Sequence, residues 1–354
     1  MAGLSVGREL AKLRRRVLIL EQEKKGGKTS RAAAGILDPY TEAEKETPLF
    51  QIGLKAFDFY PSFLEEITEA SGIDAEHKKT GMLYLAFTAE DENFFREGFE
   101  WQKKRSLPVE FLLGVAARKL EPFVPSRTRS AVFYPEIPKV NANKLTSSLF
   151  EATRAAGAEI RTSVKNVSLW SEREAARGVR IQNESVEAPV VVCAEGYWAG
   201  LDKSLGIKIN VIPVRGQILI MQASEKFNPT HILHTVRYAY IVPWPKKRLL
   251  VGSTLEPAVF ENKVTPEGLE DILNRTSEIF EGIRELKIET TWAGLRPKGE
   301  DGMPLIGPTS IKGLFLASGY YRSGILISPL VGKLLAEGIT SGKFSPLLEP
   351  FFPR

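Results

Sequence analysis

The chain has 354 residues, 43% hydrophobic and 26% charged, with a formal net charge of +5 and a pI near 9.1. That length supports one large or two moderate domains, and the balance excludes a disordered chain. Its basic residues stand in short scattered groups (Arg14-Arg15-Arg16, Lys24-Lys25, Lys103-Lys104-Arg105, Lys246-Lys247), which predicts a solvated basic surface and no nucleic-acid partner. Cys193 is the only cysteine, which excludes an internal disulfide and fits a reducing compartment. His77, His231 and His234 lack zinc-type spacing, so no metal is expected. No apolar run approaches a membrane span and no secretion signal follows Met1, so the expectation is a cytoplasmic protein with no membrane partner.

In chain order, Ala2 to Leu13 reads as a helix and Val17 to Leu20 as a buried strand ending in Glu21. A polar turn, Gln22 to Gly27, leads into Thr29, Ser30 and the small residues Ala32-Ala33-Ala34-Gly35, where backbone can approach a ligand or another segment closely. Residues 47–70 have apolar positions at helical spacing and stop at Gly72, with a kink expected at Pro61. Thr80 to Phe87 reads as a strand. Residues 89–105 read as an amphipathic helix whose stripe of Phe94, Phe95, Phe99 and Trp101 suggests core or subunit interface. Leu112 to Glu121 is a predicted short helix and Ser130 to Tyr134 a strand.

Asn143 to Ala156 is a predicted helix closed by Gly157. β-like runs follow at Glu159–Thr162, Val164–Trp170, Gly178–Ile181 and Val186–Cys193, the last entering a turn before a helix at Ala194-Glu195-Gly196. Residues 209–257 alternate as a meander of long antiparallel strands. Thr265 to Ile283 reads as a capped helix with Pro266 in its first turn, and Ile288 to Trp292 as a strand. Leu314 to Ala317 is a short apolar strand that runs through Gly319 into a helix from Ser323 to about Glu337. Such a turn aims backbone N–H groups and the positive helix end at an anion or an electron-rich ring. No internal repeat is present.

The first helix–strand pair matches half of a dinucleotide fingerprint, in which an acid follows the glycines by about 20 residues and bonds a ribose hydroxyl. Gly3 stands as the third glycine and Glu21 as the acid. An ordinary helix–strand pair has the same look. The first strand and two glycines would precede Met1, which motivates the expectation that the natural protein begins upstream. Mass spectrometry of the native N-terminus tests this.

Four separated motifs carry a more specific likeness: Gly26 to Leu37, Tyr240-Ile241-Val242-Pro243, Trp292 to Pro297, and Tyr321-Arg322-Ser323-Gly324-Ile325-Leu326. In order and spacing the chain resembles the D-amino-acid-oxidase-like family of FAD-dependent amine oxidoreductases, and within it the bacterial glycine-oxidase type of thiamine biosynthesis. The resemblance implies an α/β fold: a discontinuous FAD-binding Rossmann-like domain, lacking its first strand, in residues 1–43, 139–207 and 297–354. A substrate domain with a large antiparallel sheet and flanking helices takes 44–138 and 208–296. It implies non-covalent FAD, since Cys193 is not where related enzymes attach a flavin. Implied cofactor contacts are Met1, Ala2, Gly3, Glu21, Gln22, Thr29, Ser30, Ala34, Gly35, Ile36, Val164, Tyr320, Tyr321, Arg322, Ser323, Gly324, Ile325 and Leu326.

An amino-acid substrate needs a carboxylate anchor, and a guanidinium grips both oxygens in one plane. By the likeness, Arg296 takes that part, the Tyr240 hydroxyl assists, and Arg322 lies near both flavin and substrate. Without the likeness, a surface arginine, a packing tyrosine and a solvated helix-start arginine explain them as well. Arg296 and the bend at 319–324 are expected to meet one flavin face from opposite sides of a cleft. No side-chain acid or base stands out. The implied reaction is oxidative deamination of glycine or a small D-amino acid or secondary amine to an oxo acid, ammonia and hydrogen peroxide, with molecular oxygen as acceptor. The alternatives are a D-amino-acid dehydrogenase using another acceptor and a truncated, cofactor-poor non-enzyme. Tyr238 and Leu255 depart from the family's histidine and methionine near the pocket, which leaves the amine open, and a homo-oligomer stays open.

Overall fold

The computed structural model describes residues 1–24, 27–41 and 45–353. Lys25, Gly26 and the domain boundary drawn at residues 43 and 44 lie outside the described residues. Among the described residues the largest sheet has nine strands. Its order is Ile288–Gly299, Val211–Gln222, Arg248–Gly252, Tyr240–Trp244, Ile232–Thr235, Met82–Ala86, Ser130–Tyr134 and Glu110–Leu113, with Glu256–Pro257 beside Val214 and Arg215. The pairings are antiparallel except that Ile232–Thr235 runs parallel to Met82–Ala86. The meander expected over residues 209–257 is antiparallel and joins Met82–Ala86 through one parallel seam, because the chain returns to that earlier strand after a long excursion and not through a hairpin.

Strand alternation sorts side chains onto two faces. Met82, Tyr84, Val132, Ile218, Tyr240, Val242 and Leu250 form one apolar layer, packed against Phe50 and Phe95. Leu83, Leu85, Ala131, Leu219, Ile241, Leu249 and Val251 form the other, covered by Ala117 and Ile272 from the helices Gly114–Leu120 and Pro266–Thr276. Burial on both faces explains why Leu249-Leu250-Val251 reads as an unbroken apolar run. Of the expected aromatic stripe, Phe95 is core, Phe99 and Trp101 pack against it, and Phe94 is exposed.

The rest of the chain builds smaller sheets and a helical core. Leu18–Leu20 pairs parallel with Glu159–Arg161. Val191–Cys193 pairs parallel with Leu314–Ser318, which also takes Leu305–Pro308. The helices Ala2–Lys12, Pro48–Ser71, Ala142–Ala155 and Gly324–Ser341 share a core that includes Val6, Ile52, Tyr60, Leu149, Ile327 and Val331. Gly332 lets the first and last of these helices meet, since a Cβ there would lie 2.5 Å from the Ser5 Cβ.

Several sequence expectations change. Gly324–Ser341 is long and apolar enough to cross a membrane, contrary to the expectation that no segment is. It is mostly buried within the helical core, which accounts for its apolar composition. The helix expected over residues 47–70 is present as Pro48–Ser71 and runs through Pro61, which is exposed. Leu112 and Leu113 end an edge strand before their helix begins at Gly114. A Cβ on Gly114 would collide with the Thr128 carbonyl at 1.9 Å, so this crossing needs glycine. Val186–Cys193 divides into two strands around Pro189, which cannot donate to a ladder. Residues 196–200 form a 3-10 turn in place of a full helix. The helix after Thr265 ends at Thr276, with a separate turn at Glu281–Glu285.

Candidate active site

A cavity of about 2100 Å³ lies between the large sheet and the smaller ones. Ala2–Lys12 and Gly324–Ser341 both bring their N-terminal turns to it, through Met1, Ala2 and Gly3 and through Gly324 and Ile325. Neither helix has a side-chain cap or an acid in its first turn. The Ser323 hydroxyl donates instead to the Tyr320 carbonyl at 2.8 Å. Two uncapped helix starts thus present N–H groups and positive dipole ends to one space, a setting for anionic oxygens. Gly3 keeps the first of them close to Val191–Cys193, since a Cβ there would sit 3.2 Å from that of Ala194.

Glu21 and Gln22 line the cavity where Leu18–Leu20 ends. The Glu21 carboxylate accepts from the N–H groups of Glu23 at 2.9 Å and Gly27 at 3.3 Å, which ties it to these two residues. Val164 also lines the cavity, but its N–H donates to the Glu21 carbonyl at 3.0 Å. Thr29 and Ser30 line it too. The Thr29 hydroxyl donates to the Leu295 carbonyl at 3.2 Å, and the Ser30 hydroxyl accepts from the Met1 amine at 3.0 Å. Ala34, Gly35 and Ile36 form a backbone wall. Gly35 has φ +78°, and a Cβ there would meet the Val140 carbonyl at 2.0 Å, so the neighbouring segment already demands glycine.

The bend before the last helix turns at Gly319, with φ +75°. Tyr320, Tyr321, Arg322, Gly324 and Ile325 line the cavity, whereas Leu326 is turned into the helical core. Tyr321 donates its N–H to the Pro297 carbonyl at 2.7 Å. The bend and the Arg296 strand are therefore joined directly. The two segments adjoin at this point because the chain folds back after Gly299.

Arg296 lies inside Ile288–Gly299, not after a strand as its sequence position suggested, because the pairing with Val211–Gln222 continues past Pro297. Its Nη2 donates to the Ser253 hydroxyl at 2.8 Å and its Nη1 to the Thr254 carbonyl at 3.2 Å. The guanidinium crosses Gly216, where a Cβ would lie 2.2 Å from Nη1. Tyr240 faces Gly252 across the next strands, and a Cβ on Gly252 would lie 2.8 Å from the Tyr240 hydroxyl. Two glycines thus make a floor on which a cation and a phenol rest. Burial raises the phenol's pKa, opposed by Arg296, a hydrogen bond with Ser253, Arg322 and Arg275. The strand's other end is tied to the segment that leads into the Ala34–Ile36 wall: the Trp292 indole donates to the Ala32 carbonyl at 3.0 Å.

Arg322 lies 4.4 Å from the Tyr238 ring centroid, and Tyr238 and Leu255 both line the cavity. His234 pairs with Tyr240 across strands, stacks on it at 5.9 Å and also lines the cavity. Burial and the nearby Arg322 hold its imidazole down at about 3, so it is neutral near pH 7. Sequence reasoning missed His234, Ser253 and Thr254 as neighbours of the site. The available signal was the pair of lone glycines, Gly216 and Gly252, inside strongly alternating strands, which marks a close approach.

The FAD dependent oxidoreductase (DAO) family model matches residues 1–338, and the chain belongs to that family. It is similar to a glycine oxidase of Geobacillus kaustophilus, 32% identical over 356 residues, covering 99% of this chain and 93% of that protein. A bifunctional ThiO/ThiG protein of Synechocystis is 27% identical, covering 92% of this chain and 48% of that longer protein. The crystal structure of the Geobacillus kaustophilus glycine oxidase superposes with a TM-score of 0.91 at 31% identity, covering 99% of this chain and 95% of that one. The cofactor is FAD, and the cavity fits it: two uncapped helix starts suit a pyrophosphate and an acid suits a ribose hydroxyl.

Proposed function

We propose that the protein oxidises glycine, or another small D-amino acid or secondary amine, to an oxo acid and ammonia while reducing oxygen to hydrogen peroxide, in the service of thiamine biosynthesis. The observation that carries this reading is the Arg296 guanidinium, laid over Gly216 beside the Tyr240 hydroxyl, in the cavity that the Tyr320–Ile325 bend also lines. FAD, held without a covalent link, supplies the two-electron acceptance that the chain's own side chains lack.

Residues 1–43, 139–207 and 297–354 hold the cofactor in this reading, and 44–138 and 208–296 hold the substrate, with Pro48–Ser71 packed against the last helix from across that division. Among the cofactor contacts, Met1, Ala2, Gly3, Gly324 and Ile325 take the phosphates and flavin with backbone N–H groups. Glu21 takes a ribose hydroxyl, and Ala34, Gly35 and Ile36 line the ring. Arg296 grips the substrate carboxylate and the Tyr240 hydroxyl adds a hydrogen bond, which orients the α-carbon. Arg322 contributes positive charge where negative charge develops. Neutral His234 adds no third cation there, which keeps the site open to the substrate's amine. The single, buried Cys193 fits a cytoplasmic setting.

The test is turnover of glycine and small D-amino acids under air with purified, FAD-loaded protein. Stoichiometric peroxide and glyoxylate support the oxidase. Turnover only with a quinone or dye acceptor, and no peroxide, would identify a dehydrogenase.

A further inference from the structure

The two loops that shape the substrate end are held from outside the cavity by one side chain. Arg275, in the last turn of Pro266–Thr276, donates from Nη2 to the Ser253 carbonyl at 2.9 Å and from Nη1 to the Arg237 carbonyl at 2.9 Å. Ser253 carries the hydroxyl that receives Arg296. Arg237 lies in the hairpin turn joining the His234 strand to the Tyr240 strand and directly precedes Tyr238. Asp271, one helical turn earlier, accepts from Nε at 3.0 Å and also pairs with Nη2, fixing the fork.

The other end of the same helix reaches the same loop. Its cap, Thr265, bonds the buried Gln217 through backbone N–H (2.8 Å) and hydroxyl (3.2 Å). Gln217 donates its N–H to the Thr254 hydroxyl at 3.0 Å, and that hydroxyl donates to Glu256 at 2.6 Å. The 253–256 segment is thus strapped at both ends by one helix, and the Ser253 hydroxyl and Thr254 carbonyl that accept from Arg296 belong to it.

We infer that Arg275 is a positioning residue for the substrate carboxylate: by clamping the Ser253 and Arg237 carbonyls it fixes the acceptors that aim Arg296 and the hairpin that carries Tyr238 and Tyr240. It touches neither substrate nor cofactor. The inference rests on the carboxylate-binding reading of Arg296. A lysine at 275 keeps the charge but replaces a planar fork with a point donor that cannot span both carbonyls while pairing with Asp271.

The experiment titrates FAD-loaded enzyme with glycolate, a small carboxylate without an amine, and follows the flavin absorbance. Arg275→Lys is expected to weaken glycolate binding about tenfold and to raise KM more than it lowers kcat. The FAD dissociation constant should change less than twofold, a split that general destabilisation does not produce. Asp271→Asn, at an exposed position, is expected to weaken glycolate two- to threefold. Arg296→Met serves as the reference and is expected to abolish measurable binding. The inference falls if folded Arg275→Lys enzyme binds glycolate as the unaltered enzyme does, or, should that chain not fold, if Asp271→Asn does. If Arg296→Met binds glycolate normally, the carboxylate reading itself has failed and the inference with it.

Discussion

The two sides of the cavity use glycine for different ends. At the Ala34–Ile36 wall Gly35 is needed because backbone meets backbone: the Val140 carbonyl occupies the space of its missing Cβ at 2.0 Å. On the large sheet Gly216 is needed because backbone meets a side-chain tip, the Arg296 guanidinium. A collision with a carbonyl has no cheap escape, whereas a guanidinium can swing away. Altering the first therefore damages the fold, whereas altering the second spares the fold and, on the proposed reading of Arg296, weakens the hold on a substrate carboxylate.

The sharpest test of that contrast is Arg296→Met. It is expected to lower kcat/KM for a small amino acid about a thousandfold, or ~4 kcal/mol, while the flavin spectrum stays. Gly35→Ala combines a positive φ with the carbonyl collision and is expected to cost about 3 kcal/mol of stability, read from urea denaturation. Comparable loss there with flavin still tightly bound would support the contrast, and an unchanged midpoint would break it. Behind the large sheet, Glu121 supplies a third measurement. Burial alone would raise its carboxyl, but His231 and the N–H groups of Thr230, His231 and Phe123 outweigh that and hold it at about 2. Its stabilising contribution is present above the unfolded value near 4.5 and is lost as pH falls toward 2. Acid unfolding of Glu121→Gln should accordingly lose that slope. Gly216→Ala is expected to raise KM about tenfold with thermal stability nearly unchanged, the mirror image of Gly35→Ala. Tyr240→Phe is the mildest, with KM up about fivefold for one lost hydrogen bond.

Most of the fold was legible because its strands alternate and several of its helices are capped. Thr47, Thr265 and Asn141 each accept from a backbone N–H at their helix start, and each helix began within a residue or two of the expected place. Errors fell where tertiary contacts overrule local pattern. The edge strand at Glu110–Leu113 exists because Ser130–Tyr134 offers it a partner, which sequence spacing does not reveal. The core helix Gly324–Ser341 is apolar in its composition, and its neighbours show that it is buried among other helices. At the candidate site the cation and phenol were legible as residue types. Their acceptors, Ser253 and Thr254, were not, since they follow the Arg248–Gly252 strand and face Arg296 across 42 or 43 residues of intervening chain.

The parallel seam between Met82–Ala86 and Ile232–Thr235 has a consequence for assembly in the cell. Translation delivers the three-stranded piece from Met82 to Tyr134 long before its neighbour exists, so a row of unpaired backbone groups waits on one side of it. Distant pairing of this kind is slow. The nascent chain is thus most prone to stick to its own copies during the interval in which residues 135–231 are being made.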